Sequence, residues 1–165
     1  MPQDDKALLL RLKKHEVEFV IIGGVCSSLH GASLVTLDLD ICCKFVPANL
    51  YRLESAVKDL HPRHRLTTQK LPLELTDELI PRLRNIYLTT DLGVLDCLGE
   101  VTGVGDYEQV FQHSIVHNGS YGEVRILSID ALISAKKAVG RERDLAAVTM
   151  LEAIREKNQR QGNLF

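Results

Sequence analysis

Residues 36–43 read TLDLDICC, a strict alternation that suits a strand and defeats a helix. Leu37, Leu39 and Ile41 fall on one face, Asp38 and Asp40 on the other. Upstream, EFVII at residues 18–22 is a short apolar, β-branched run that ends at Gly23-Gly24. Val25 to His30 then predicts a short helix opening at the glycines and stopped by Gly31. The segment is therefore strand, glycine turn, helix and acidic strand, with thirteen residues between Gly24 and Asp38. Each part has a chemical use. Glycines let backbone N–H groups approach an anion closely, and the helix they open turns unpaired N–H groups towards it. Two carboxylates on one strand face can hold a hard divalent cation. A second strand could add a third carboxylate. Asp96, inside the apolar run GVLDCL, is the candidate, because a lone ionised carboxylate there is costly to bury.

The rest of the chain is an ordinary globular sequence. Its 165 residues predict a single domain, 45% hydrophobic and 25% charged, which excludes disordered and fibrous classes. The net charge of −2 excludes a general polyanion-coating surface. No apolar run is long enough to span a membrane. The charged first eleven residues lack a secretory leader's pattern, which predicts a cytoplasmic protein. Cys26, Cys42, Cys43 and Cys97 have no C-x-x-C spacing and read as buried free thiols, not zinc ligands.

The remaining pattern alternates helix and strand, an α/β (α+β) arrangement. Helices are expected over residues 4–15, 47–60 and 106–113, with a short one at 77–84 weakened by Pro81. Residues 61–76, basic and proline-punctuated, read as a loop or edge; Arg63, His64 and Arg65 there read as solvated. Strands are expected over 84–90 and 93–101, and over 115–117 and 123–127 around an Asn118-Gly119 turn. Ser128 caps a helix to about Val139, Gly140 interrupts, and a last helix runs to about Lys157 before a frayed tail, Asn158 to Phe165. The core spans about residues 15–130 and the C-terminal helical segment about 128–157. His30 reads as a helix-end histidine bonded locally, and Tyr107 as core packing. From the residues alone, Lys136 and Arg141 read as a solvated helix face, and Asp144 is as much the partner of a nearby arginine or a cap of the last helix as a residue of the site.

The Gly-Gly and Asp-x-Asp unit, with a later carboxylate, resembles the nucleotidyltransferase fold of the DNA polymerase β superfamily. The likeness runs over about residues 15–150: Gly23-Gly24, His30-Gly31, Thr36, Asp38 to Ile41, Leu95 to Leu98, Gly105, Tyr107, Leu132-Ile133, Lys136, Arg141, Arg143 and Asp144. It is closest to small bacterial AbiEii-type and minimal nucleotidyltransferase-like proteins. The resemblance implies a small mixed β-sheet flanked by helices. It implies a Mg²⁺-dependent (or Mn²⁺-dependent) transfer of a nucleotide from a nucleoside triphosphate to an RNA or protein hydroxyl, with release of pyrophosphate. It implies that Asp38, Asp40 and Asp96 hold metal, that Gly23, Gly24 and Ser27 meet the β- and γ-phosphates, and that Lys136 and Arg141 neutralise triphosphate charge. A cognate toxin–antitoxin partner is a further implication. Relatives carry an arginine shortly before the Thr of the T-x-D-x-D strand; here the run is Ser33-Leu34-Val35-Thr36. That departure motivates an alternative, a catalytically silent nucleotide- or partner-binding module on the same fold.

Overall fold

The alternation at the acidic strand becomes the middle of a seven-stranded mixed sheet in a computed structural model, which describes residues 2–162. In chain order the elements are α1 (Asp5–Lys14), β1 (Phe19–Ile22), α2 (Gly23–Leu29), β2 (Asp38–Cys43), α3 (Pro47–Val57), β3 (Arg63–His64), β4 (Asn85–Thr90) and β5 (Gly93–Leu98). The chain continues through β6 (Glu100–Val101), β7 (Gly105–Asp106), α4 (Tyr107–Gln112), β8 (Ser114–Gly119), β9 (Gly122–Leu127), α5 (Ile129–Val139) and α6 (Glu142–Arg160). The large sheet is ordered β3-β4-β5-β2-β1-β9-β8, and β6 and β7 form a separate two-stranded ribbon. β2 runs parallel to β5, and β1 parallel to β9; the other neighbours in the large sheet are antiparallel. This is the small mixed sheet flanked by helices that the sequence predicted.

One sheet face is apolar because strand alternation puts it there. Leu39, Ile41, Leu88, Ile86, Leu95 and Cys97 are fully or almost fully buried. They join one core with Leu8, Leu9 and Leu12 of α1 and Leu50, Leu53, Ala56 and Val57 of α3. Asn49, also fully buried, ties α3 to the start of β1. Its amide donates to the carbonyls of Glu18 (3.0 Å) and Lys44 (2.9 Å) and accepts from the Glu18 N–H (2.7 Å).

Several expectations shift in detail. The acidic strand starts at Asp38, not Thr36, and Leu37 is 77% exposed, because β5, its partner, begins only at Gly93 opposite that point. The predicted strand over 93–101 breaks at Gly99, and Glu100-Val101 turn away to pair with β7. Around Pro81 the helix is only a single 3₁₀ turn, Ile80–Arg82. The β8–β9 turn is Ser120-Tyr121, closed by the pair Gly119 and Gly122, and not Asn118-Gly119; Asn118 pairs with Glu123. The last helix continues through Asn158, Gln159 and Arg160. Of the tail predicted to fray, residues 163–165 lie outside the described residues. Ser128 caps α5, accepting from the Ala131 N–H at 3.3 Å. No helix among the described residues is long and apolar enough to cross a membrane.

Candidate active site

Three carboxylates meet on the face of the sheet opposite the apolar one. Asp38 and Asp40 lie two apart on β2, and Asp96 on β5 sits directly beside Asp40 in the parallel register. Each offers an oxygen within 4.8 Å of the others. Asp96 is buried; the other two are half-buried. Such crowding costs energy in the ion-free protein. Burial, and then the charges of Asp38 and Asp96, push the Asp40 carboxyl up to about 7, against the pull of Lys136 and Arg65. An all-oxygen, highly anionic donor set in this geometry fits a hard divalent cation, which would relieve that repulsion.

The glycine turn abuts this cluster. Gly23 adopts φ +66°, and a Cβ there would stand 2.4 Å from the Asp40 Oδ2. Only glycine satisfies both the conformation and the approach. A Cβ on Gly24 would meet the Thr36 Cγ2 at 2.5 Å. α2 starts at these glycines with no side chain capping its first N–H groups, which remain as donors beside Asp40. Ser27 does not share that surface. It is fully buried, and its hydroxyl donates to the Gly23 carbonyl at 3.2 Å, so it braces the turn from behind.

α2 is fastened to the end of β9. The Leu127 carbonyl accepts from both the Cys26 thiol (3.3 Å) and the His30 Nε2–H (2.8 Å), one helical turn apart. His30 is thus bonded across the fold and not locally as its sequence position suggested. Burial pushes the Cys26 thiol up to about 12, which leaves it inert as a nucleophile. All four cysteines are buried and free.

The cations expected from the C-terminal helices are present and organised by Asp144. That carboxylate, 4% exposed, takes the Arg141 Nε at 2.6 Å and Nη2 at 3.3 Å, and lies 4.0 Å from the Lys136 ammonium. Burial works against the Asp144 charge, but Arg141 and Lys136 outweigh it and hold the carboxyl below its ordinary range. Asp144 is therefore the partner of a nearby arginine, as one sequence reading had it, and it borders the same cleft as the site. Lys136, Arg141, Gly23, Asp40 and Tyr87 border one cleft of about 290 Å³ between the sheet and the α5–α6 pair.

A further residue, read from the sequence as solvated, belongs to the cluster. Arg65 donates its Nε to the Asp96 Oδ1 at 2.9 Å and its Nη2 to the Asp96 Oδ2, a two-pronged contact. Its backbone N–H bonds the Tyr87 carbonyl at 3.0 Å, and its guanidinium lies 5.6 Å from the centre of the Tyr87 ring. No local sequence signal marks it; only the spacing of two residues from Arg63, which puts both on one strand face, hints at a shared role. At the opening of the acidic strand, where relatives carry arginine, Val35 is 93% exposed.

No protein-family profile and no curated protein matches the chain by sequence. Its fold does match solved structures. The lincosamide antibiotic adenylyltransferase LnuA, bound to lincomycin, superposes with a TM-score of 0.63 at 15% identity, over 93% of this chain and 99% of that one. A candidate nucleotidyltransferase from Thermotoga maritima gives 0.56 at 16% identity, over 92% and 90%. ANT(2")-Ia in complex with adenylyl-2"-tobramycin gives 0.53 at 16% identity, over 94% of each chain. The chain therefore has the nucleotidyltransferase fold, as the resemblance implied; the AbiEii-type subdivision stays an expectation of that resemblance.

Proposed function

We propose that this protein transfers a nucleotide from a nucleoside triphosphate to an acceptor hydroxyl. The observation that carries the reading is the convergence of Asp38, Asp40 and Asp96 beside a glycine turn that only glycine can make. In the reaction the acceptor oxygen attacks the α-phosphorus in line, the bond to the β-phosphate oxygen breaks, pyrophosphate departs, and the hydroxyl proton passes to a nearby base. Asp38, Asp40 and Asp96 would hold Mg²⁺ (or Mn²⁺), which supplies positive charge to the reacting phosphate oxygens. The free N–H groups at the start of α2 and the Lys136 and Arg141 side chains would bind the triphosphate charge. Asp144 fixes both cations, so that fewer rotamers must be frozen when the anion arrives. The fold matches adenylyltransferases, which favours ATP as the donor.

A second reading is favoured by Arg65, which engages both oxygens of Asp96: a module that binds nucleotide without turnover. Among acceptors, RNA and protein hydroxyls follow from the resemblance, whereas antibiotics are what two of the matched structures bind or carry. No cognate toxin–antitoxin partner is proposed from the structure.

The test is binding of each of the four nucleoside triphosphates with and without Mg²⁺, on wild type and on Asp38→Asn and Asp40→Asn. Mg²⁺-dependent binding that both substitutions abolish is the expected result. Binding that is unaffected by either substitution overturns the assignment. Binding followed by no transfer to RNA, protein or small-molecule pools favours the silent module.

A further inference from the structure

The sheet register lays the site out along a line. Asp40, Asp96 and Tyr87 are direct cross-strand neighbours, and Arg65 follows Tyr87 through a backbone hydrogen bond. Directly opposite residues on adjacent strands project to the same face, so this is one row of side chains. Two residues further along, Asp38, Val94, Thr89 and Arg63 form the next row on that face. The second row ends in Arg63 on β3, the outermost strand, and the first in Arg65, just past the end of β3.

The glycine turn follows β1 and so lies on the β1 side of the carboxylates. In an in-line displacement, nucleophile and leaving group occupy opposite sides of the phosphorus. If pyrophosphate leaves towards the glycine turn, the acceptor approaches from the β4–β3 side, over Tyr87 and towards Arg65 and Arg63. That side is predominantly basic, with His61 paired to Asp91. Residues 61–72, HPRHRLTTQKLP, contain five basic or histidine side chains and no acid. The segment is also folded: Arg63 donates to the Lys70 carbonyl at 3.2 Å, Lys70 donates to the Arg65 carbonyl, and Arg63 bridges to Pro72. It therefore presents its charges from a fixed frame.

We infer that the acceptor carries an oxyanion, a phosphate or a carboxylate, close to the hydroxyl it presents, and that Arg65 and Arg63 receive it. Arg65 already makes a planar two-pronged contact with a carboxylate, Asp96, and the same fork matches a phosphate or carboxylate of the acceptor. A divalent cation held by Asp38, Asp40 and Asp96 would neutralise Asp96 in place of Arg65, whose fork would then be free for the acceptor. The inference rests on the nucleotidyltransferase reading above and narrows its acceptor class.

The experiment loads the protein with Mg²⁺ and a non-hydrolysable α,β-methylene analogue of the triphosphate that binds, which fills the donor side. Inorganic phosphate and, separately, acetate are then titrated by calorimetry. Wild type is expected to bind at least one of them. Arg65→Gln should weaken that binding about tenfold or more, and Arg63→Gln, on an exposed side chain that does not touch Asp96, several-fold. Preference for phosphate identifies a phosphate ester as the acceptor, and preference for acetate a carboxylate. No binding of either anion to the loaded wild type, or equal binding by wild type and both variants, overturns the inference while leaving the donor site standing. Failure of the analogue to bind wild type with Mg²⁺ overturns the nucleotidyltransferase reading, and the inference with it. Thermal melts of both variants establish that a loss of binding is not a loss of fold.

Discussion

Asp40 is the residue on which the site's charge repulsion falls. In the metal-free protein its carboxyl is pushed up to about 7 by burial and by Asp38 and Asp96, against roughly 4 in the unfolded chain. Between those values the folded state holds a proton that the unfolded state has released. Its contribution to stability is therefore complete below about pH 4 and is lost as the pH rises through 7. Asp40→Asn removes that dependence. Melted without metal, the variant should be more stable than wild type at pH 8, level with it only at about pH 4, and unable to bind Mn²⁺. A variant that melts below wild type at pH 8 would show that Asp40 makes a favourable contact that outweighs the repulsion. Gly23 makes the complementary prediction. Alanine there takes a left-handed conformation, worth about 1–2 kcal/mol, and its Cβ would stand 2.4 Å from the Asp40 carboxylate. Gly23→Ala should lower Tm by about 3–8 °C and weaken Mn²⁺ binding by displacing Asp40. An unchanged Mn²⁺ affinity would mean that the turn and the carboxylate move independently.

At the level of elements, the site depends on how helices are pinned to the sheet. Asn49 holds α3 to the start of β1 through three hydrogen bonds to backbone groups at that junction, and its Oδ1 also accepts from Arg52 at 3.3 Å. Asn49→Ala deprives the Glu18 N–H and the Lys44 carbonyl of that partner, while the Glu18 carbonyl keeps the Lys44 N–H, at a cost of about 1–3 kcal/mol per group left buried; Tm should fall by about 5 °C or more, with little change in triphosphate affinity. A fall in affinity as large as the fall in stability would tie α3 to the site, which its position does not suggest. Asp144 offers the reverse case on α6. Asp144→Asn frees Arg141 and Lys136 from their shared anchor and should weaken triphosphate binding about tenfold while leaving Mn²⁺ binding intact. The helices and most strands were legible in the sequence because each carries its own periodicity: alternation in β2, and leucines at helical spacing in α1 and α3. The convergence of Asp38, Asp40 and Asp96 was legible because strand geometry turns the two-residue spacing of the first pair into a shared face, and because a lone carboxylate in the apolar run GVLDCL calls for a partner. Arg65, Asn49 and the role of His30 were not. Each acts through a partner 31 to 97 residues away, a pairing that no local pattern records, even for Asn49 inside the periodic α3. The two-residue strand β3 was legible only as an edge, since so short a strand has no period to read.

Across the whole molecule, the site is shared between two units that contribute opposite charge. The sheet supplies three carboxylates, and the α5–α6 pair supplies Lys136 and Arg141 across a cleft of about 290 Å³. On the proposed reading, a triphosphate with its cation would bridge the two, its phosphate oxygens meeting the helices and its cation the sheet. Binding should therefore stabilise the fold as a cross-link between units, beyond its effect at any one residue. A ligand at a hundred times its Kd adds about 2.7 kcal/mol, which in a chain of this length raises Tm by about 5–10 °C. Triphosphate and Mg²⁺ together are expected to produce that shift in wild type, and each alone much less, because either one alone leaves one unit's charge unanswered. Asp38→Asn should abolish the combined shift by removing the sheet's share, and Lys136→Ala should reduce it from the helical side. An equal shift from triphosphate without Mg²⁺, or an undiminished one in Asp38→Asn, would mean that the nucleotide binds the helices without engaging the carboxylates, and the two units would then not form one site.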